Sequence, residues 1–167
     1  HFSPAPVRAP EVDIGAIFRS LPLVDMMKLA QRPYTDWESI TTNDLADPWW
    51  DQFPYYKGDE MIDVPSLFVN SWHDFGVNET LWEFHHFREN GVSSTARDNQ
   101  FVIISPTSHC GSEFIRAPTV VGKRELGDAR YDFWTLYIRW FDRWLKGEDN
   151  GVTDMPHVQY YLMGKNE

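Results

Sequence analysis

Two short apolar stretches, VPSLFVN at residues 64–70 and FVIIS at residues 101–105, decide the fold class of this chain. Both lack the polar alternation of a half-exposed strand, which is typical of strands buried on both faces of a parallel sheet. Pro65 lies near the start of the first stretch, where it removes no hydrogen bond from the middle of a ladder. The two stretches therefore predict two buried strands.

A helical pattern follows each of these strands. The first helix is predicted for residues 78–90, with Asn78 as its N-terminal cap and Gly91 in the left-handed conformation beyond its end. The second is predicted for residues 128–146 and is closed by Gly147. Its core-facing stripe is expected to consist of aromatic residues at helical spacing: Phe133, Tyr137, Trp140, Phe141 and Trp144.

The order of these elements is strand, helix, strand, helix, with a last strand predicted at residues 157–163. This alternation is typical of an α/β fold, in which right-handed crossovers make consecutive strands parallel. Residues 1–60 differ, because proline, aspartate and tryptophan are dense there and long apolar runs are missing. The sequence thus predicts a parallel sheet with flanking helices, preceded by a helical and loop-rich region that resembles a cap.

Two ionisable residues come shortly after the two predicted strands: Asp74 after the first and His109 after the second. Because the carboxyl ends of parallel strands open on the same edge of a sheet, we expect them to lie close together. An aspartate that accepts the Nδ1 proton of a histidine lets the ring act as a general base toward a hydroxyl nucleophile. The order strand, Asp, helix, strand, His is also that of the last two triad members in α/β-hydrolases.

Composition and charge narrow the classes of function. The chain has 25 acidic and 15 basic residues, a net charge of −10, which argues against a nucleic-acid partner. No apolar run approaches the roughly 20 residues that cross a bilayer, so no membrane partner is expected. The first ten residues have neither signal-peptide nor transit-peptide character, so the compartment stays unassigned, cytoplasmic or exported.

Several segments resemble, in order, the motifs of the cocaine-esterase and X-Pro dipeptidyl-peptidase-like hydrolases. VPSLFVNSWHD at residues 64–74 is similar to the family's VPxLxxxGWYD strand, and ISPTSH at 104–109 is similar to its xGPWxH segment. The FDRWLKG stretch at 141–147, with PHV and LMG after it, resembles FDxxLKG…PxVxxxxMG. Upstream, LPLVD, DW and DPWW within residues 21–50 are similar to the family's cap region.

The same segments depart from the family's motifs at four positions. Ser71 stands where the family usually has Gly, and His73 where it often has Tyr. Ser105 and Thr107 replace the Gly and Trp of the second motif. These changes flank Asp74 and His109 without removing them, so we expect them to affect substrate preference more than the triad.

The resemblance implies that residues 1–60 form a cap-like region and that residues 61–147 are the C-terminal part of an α/β-hydrolase sheet. Asp74 and His109 are then triad members, and residues 148–167 lead to a β-sandwich (jelly-roll) domain. It also implies a serine hydrolase that needs no cofactor and cleaves a small ester, amide or peptide. No Gly-x-Ser-x-Gly elbow occurs in the chain. The serine and the oxyanion donors are expected in a preceding part of the hydrolase, and this chain by itself is expected to be inactive.

The candidate substrate-binding residues are Trp72 and Phe75, on either side of the catalytic aspartate. The amino-ester hydrolases of this group carry carboxylates just after that aspartate, whereas here Phe75-Gly76-Val77 follows. This difference favours an uncharged acyl group. It is equally compatible with Phe75 only packing under the cap.

Other interpretations stay open at this point. A metal-dependent hydrolase could use His73, Asp74, His85, His86 and His109, but consecutive histidines on a helix point about 100° apart, and no metal site is predicted. A non-catalytic binding fragment could use the eight tryptophans. A pseudo-enzyme without the serine is a further alternative. Cys110 and His157 are interpreted as structural, Cys110 as a small filler.

Overall fold

The computed structural model of the chain describes residues 12–32, 35–53 and 56–164. The chain divides into two compact units, residues 1–55 and 56–167. The second unit contains a three-stranded parallel sheet flanked by helices, which confirms the predicted α/β class at this level. None of the helices in the described ranges combines the length and the apolar character that crossing a membrane requires.

The described residues of the first unit, 12–32 and 35–53, form short helical segments joined by turns. Its α-helices are α1 (Ile14–Phe18), α2 (Met26–Leu29) and α3 (Trp37–Thr42), with 3-10 turns at Leu23–Asp25 and Pro48–Gln52. Aspartates begin two of these segments: Asp13 accepts a hydrogen bond from the N–H of Ala16, and Asp47 from that of Trp49. The many aspartates and prolines thus produce short helices with frequent starts. Its role as a cap stays a prediction.

The second unit alternates strands and helices. In chain order its elements are β1 (Ser66–His73), α4 (Val77–Asn90), α5 (Ser94–Asp98), β2 (Gln100–Ser108), β3 (Val120–Val121), β4 (Arg124–Glu125), α6 (Phe133–Lys146) and β5 (Val158–Tyr160). The sheet order is β1-β2-β5, and β3 and β4 form a separate antiparallel pair. Ser71 of β1 pairs with Ser105 of β2, so the two strands end side by side.

The last strand is shorter than expected and joins this sheet. It was predicted for residues 157–163, but β5 covers only Val158–Tyr160. It runs parallel to β2, with Val102 opposite Val158. His157, just before it, stacks on Phe101 with ring centroids 4.6 Å apart, so its structural interpretation is supported. The β-sandwich domain that the resemblance implies stays a prediction.

The central strand β2 explains why its sequence is apolar throughout. Phe101 and Ile103 pack against α6 on one face of the sheet, and Val102 and Ile104 pack against α4 on the other. Each of these side chains is at most 3% exposed. Full burial of one such side chain stabilises the fold by roughly 1.5–3 kcal/mol. The sheet is therefore covered on both faces at β2, as a parallel sheet requires. The prediction that β1 is equally buried is wrong: β1 is an edge strand and is half-buried, apart from the buried Ser71 and the exposed His73.

Helix α4 begins and ends differently from the prediction. It starts at Val77 with Gly76 at the cap position, so Asn78 is not the cap. Gly91 follows the helix with φ −57° and ψ 138°, which is extended backbone, so the predicted left-handed conformation is wrong. A Cβ on Gly91 would lie 3.0 Å from Cγ of Arg97. It would also lie 3.0 Å from the carbonyl oxygen of Phe87, so a side chain at this position would be tightly packed.

Helix α6 is shorter than predicted at its start, because the side chain of Asp132 caps it by accepting a hydrogen bond from the N–H of Thr135. Its end is as predicted: Gly147 has φ 75° and donates its N–H to Arg143. The expected stripe is correct for its other members, but Phe141 is 56% exposed. Phe141 lies about 80° around the helix from Phe133 at 100° per residue. Leu136 is buried with the core instead.

Candidate active site

The structure brings Asp74 and His109 together at the carboxyl ends of β1 and β2. Nδ1 of His109 lies 2.7 Å from Oδ2 of Asp74, a hydrogen bond between the two side chains. The side chain of Asp74 is 8% exposed, whereas that of His109 is 58% exposed. A sheltered carboxylate thus holds one nitrogen of an imidazole whose side chain is largely exposed.

The local backbone holds the carboxylate of Asp74 in place. Its second oxygen, Oδ1, accepts a hydrogen bond of 2.8 Å from the N–H of Gly76. The carbonyl of Gly76 accepts a hydrogen bond from Oγ1 of Thr80, which in turn accepts one from Nδ2 of Asn70 in β1. The first turn of α4 is therefore tied to the strand that carries Asp74. Both carboxylate oxygens have a fixed partner.

These contacts favour the ionised form of Asp74. The N–H of Gly76 and then the side chain of His109 lower the pKa of Asp74 below its ordinary value, against the opposing effect of burial. The carboxylate stays negative at neutral pH and can stabilise an imidazolium at His109. This is the electrostatic arrangement that a general base needs when it takes up a proton.

A tight turn after β2 presents His109. Cys110 has φ 56°, and Gly111 donates its N–H to the carbonyl of Ser108 over 3.0 Å. A Cβ on Gly111 would lie 3.0 Å from that carbonyl oxygen and 3.2 Å from Oγ1 of Thr107, so the turn leaves little room for a side chain. Cys110 is exposed, so its interpretation as a small filler is wrong.

An open cavity of about 590 Å³ adjoins the Asp74–His109 pair. Its lining includes Asp74, Phe75, Gly76, His109, Glu113 and Phe114. The ring of Phe75 lies 4.9 Å from that of His109, centroid to centroid. The predicted substrate-binding residue Phe75 is therefore beside the histidine, and its side chain is 85% exposed.

The other predicted substrate-binding residue, Trp72, is absent from the lining of this cavity. It packs with the cluster between the sheet and α4, and its indole N–H donates to the carbonyl of Tyr161 over 2.9 Å. Its ring also meets that of Tyr160 edge to face at 6.1 Å. Trp72 lies within β1, where its ring is held by these packing contacts, whereas Phe75 lies in the turn after the strand.

Sequence reasoning missed Glu113, which lines the cavity from the 3-10 turn Ser112–Phe114. The hydroxyl of Tyr137 in α6 donates to its carboxylate over 2.5 Å. Burial and then this hydrogen bond raise the pKa of Tyr137, so the hydroxyl keeps its proton and remains a donor. The only sequence signal is a carboxylate shortly after His109, and the helix that orients it begins some twenty residues later.

Within the described ranges, no serine hydroxyl hydrogen-bonds the ring of His109. The same ranges contain no group of three or more His, Cys, Asp or Glu side chains close enough to hold a metal ion. Nε2 of His85 pairs with Glu89, and His86 stacks on Trp82 with ring centroids 5.0 Å apart. The residues of the metal-site alternative are therefore dispersed, apart from Asp74 and His109.

The geometry equips this edge of the sheet for proton transfer by His109, oriented by Asp74, next to a cavity that a small molecule can enter. Comparison with known proteins does not assign the chain to a family, because neither a protein-family model nor a curated protein matches it.

Proposed function

We propose that this chain supplies the general base and its orienting carboxylate to a serine hydrolase that cleaves ester or amide bonds. The observation that carries the proposal is the 2.7 Å hydrogen bond between His109 and Asp74, formed where two parallel strands end side by side. It is supported by the exposure of the histidine and the burial of its carboxylate partner. The cavity beside them is large enough for a small acyl group.

In the proposed reaction His109 moves one proton in each half of the cycle. Nδ1–H donates to Asp74, so the neutral ring carries its lone pair on Nε2. Nε2 takes the proton of a serine hydroxyl as the serine oxygen bonds to the substrate carbonyl carbon. His109 then gives this proton to the leaving alkoxide or amine, and an acyl-enzyme remains. Water attacks the acyl group with the same base, which releases the acid and restores the serine.

The serine and the oxyanion donors lie outside these 167 residues in this proposal. The substrate is a small ester, amide or peptide whose acyl group enters the cavity beside Phe75. The exposed Phe75 ring would contact an apolar acyl group. Glu113, held by Tyr137, adds one carboxylate to the same cavity lining.

The experiment is labelling of the native, complete hydrolase with a serine-reactive phosphonate, followed by denaturing intact-mass analysis. We expect one serine to be labelled and His109→Ala to abolish the labelling, because a serine without its base is a weak nucleophile. His85→Ala is the matched control, since His85 is an exposed histidine on α4 paired with Glu89. Labelling that persists at the normal rate in His109→Ala would remove His109 from the reaction.

A further inference from the structure

Four hydroxyl side chains form a cluster at the carboxyl ends of β1 and β2, and we call it the hydroxyl cluster: Ser71, Ser105, Thr107 and Ser112. Oγ of Ser71 lies 2.9 Å from Oγ of Ser105, 2.9 Å from Oγ of Ser112 and 3.0 Å from Oγ1 of Thr107. Oγ of Ser105 is also 2.9 Å from the hydroxyl oxygens of Thr107 and Ser112. The three serines are at most 6% exposed.

The cluster joins the backbone on both sides of His109 to the strand that carries Asp74. Thr107 comes shortly before His109 in the chain, and Ser112 comes shortly after it. Ser71 is at the end of β1, where its carbonyl accepts the N–H of Asp74 over 3.1 Å. Every contact between Ser71 and the other cluster members therefore links the Asp74 side of the pair to the His109 side.

The hydroxyls depend on one another because the three serines are shielded from water and Thr107 is half-buried beside them. Each has a single proton to donate, and a buried hydroxyl that loses its partner keeps the full cost of desolvation. Loss of one member therefore weakens the contacts of the others, since polar networks of this kind are cooperative. The turn at Gly111 also lies close to Thr107: a Cβ placed on Gly111 would be 3.2 Å from Oγ1 of Thr107.

We propose that the hydroxyl cluster is a positioning device that fixes the His109 turn so that Nδ1 meets Asp74. None of its members hydrogen-bonds the imidazole, so they are positioning residues; Ser71 and Ser112 also line the cavity, whereas Thr107 does not. The catalytic consequence rests on the proposed function, but the positioning itself is a property of this chain. It assigns a joint role to Ser71, Ser105 and Thr107, which the sequence presents only as separate departures from the family's motifs around Asp74 and His109.

The test uses the chain labelled with ¹⁵N-histidine and measures the tautomer of His109 by nuclear magnetic resonance. Thr107→Val removes the hydroxyl and keeps the side-chain shape, whereas Thr107→Ser keeps the hydroxyl. Ser93→Ala is the stability control, because Ser93 caps α5 and bonds Asp63, away from the cluster. Ser112→Ala removes a hydroxyl on the other side of His109 and serves as a second variant if Thr107→Val does not fold.

In the unmodified chain we expect the neutral ring of His109 to carry its proton on Nδ1. Thr107→Val, and likewise Ser112→Ala, should lower the ratio of this tautomer to the Nε2–H form about fivefold, the factor that one hydrogen bond represents. Thr107→Ser should keep the original tautomer ratio. Ser93→Ala should lower the thermal midpoint of the chain but leave the tautomer ratio unchanged. An unchanged ratio in folded Thr107→Val would overturn the positioning role. An Nε2–H tautomer in the unmodified chain would instead overturn the Asp74–His109 pair, and with it the proposed function.

Discussion

Replacing Asp74 by asparagine tests the proposed role of the pair most directly, because the two side chains have nearly the same shape. Asp74 accepts two hydrogen bonds, from Gly76 N–H at Oδ1 and from His109 Nδ1 at Oδ2. An asparagine has one oxygen and one NH₂ group in these places. Its oxygen is expected to keep the fixed N–H of Gly76, and its NH₂ group then faces Nδ1 of His109.

This exchange reverses the polarity of the contact with His109. Nδ1 must accept a hydrogen bond from the introduced NH₂ group, so the neutral ring carries its proton on Nε2. That nitrogen can then no longer take the proton of a serine, and no carboxylate stabilises the imidazolium. Turnover is expected to fall by about 10⁴-fold, the size of the effect when a triad aspartate is neutralised in a serine protease.

The assay is steady-state hydrolysis of a small activated ester by the complete hydrolase. We expect the loss in kcat, with little change in KM, because the aspartate acts on the base and makes no contact with the substrate in the proposal. Asp128→Asn is the control, since Asp128 is an exposed carboxylate paired with Arg130 in the same unit. Turnover of Asp74→Asn within about tenfold of the unmodified enzyme would show that Asp74 does not orient the base.

Two further predictions concern the fold and its pH dependence. Trp140→Ala should lower the free energy of unfolding by about 3–5 kcal/mol, because Trp140 is buried between α6 and the sheet. Phe141→Ala, on the exposed side of the helix, should change the free energy of unfolding by no more than about 0.5 kcal/mol. Urea denaturation measures both, and equal losses would contradict the assignment of the two faces. Because the N–H of Gly76 and then His109 lower the pKa of Asp74, its contribution to stability is present above its ordinary value and disappears as the pH falls through the folded-state pKa. The free energy of unfolding of the unmodified chain should therefore decrease as the pH drops below about 4, and that of Asp74→Asn should decrease less steeply. Parallel pH profiles of the two proteins would show that Asp74 makes no such contribution.

Much of the architecture follows from local patterns in the sequence. The apolar stretches at residues 64–70 and 101–105 predict the strands β1 and β2, and the second is buried on both faces as its pattern indicates. The meeting of Asp74 and His109 follows from chain direction alone, since parallel strands end on one edge. Gly147 closes α6 as expected, because glycine adopts the left-handed conformation without strain.

Tertiary contacts determine what those patterns leave open. Gly91 is closely approached by Phe87 and Arg97, and Phe141 is exposed because the sheet covers only one side of α6. The indole of Trp72 bonds Tyr161, and Glu113 is oriented by Tyr137. No spacing rule predicts these last two contacts, because they join residues far apart in the chain.

The hydroxyl cluster shows the same division most clearly. Local sequence patterns are enough to predict that β1 and β2 are parallel strands, that β2 is buried, and that Asp74 and His109 meet where the two strands end. The sequence also places Ser71 at the end of one strand and Ser105 and Thr107 near the end of the other, with nothing to indicate that they meet. Only the register that pairs Ser71 with Ser105, and the turn that returns Ser112, bring the hydroxyls within hydrogen-bonding distance. The physical reason is that burial and strand order are encoded locally, whereas contacts between side chains depend on how whole elements pack.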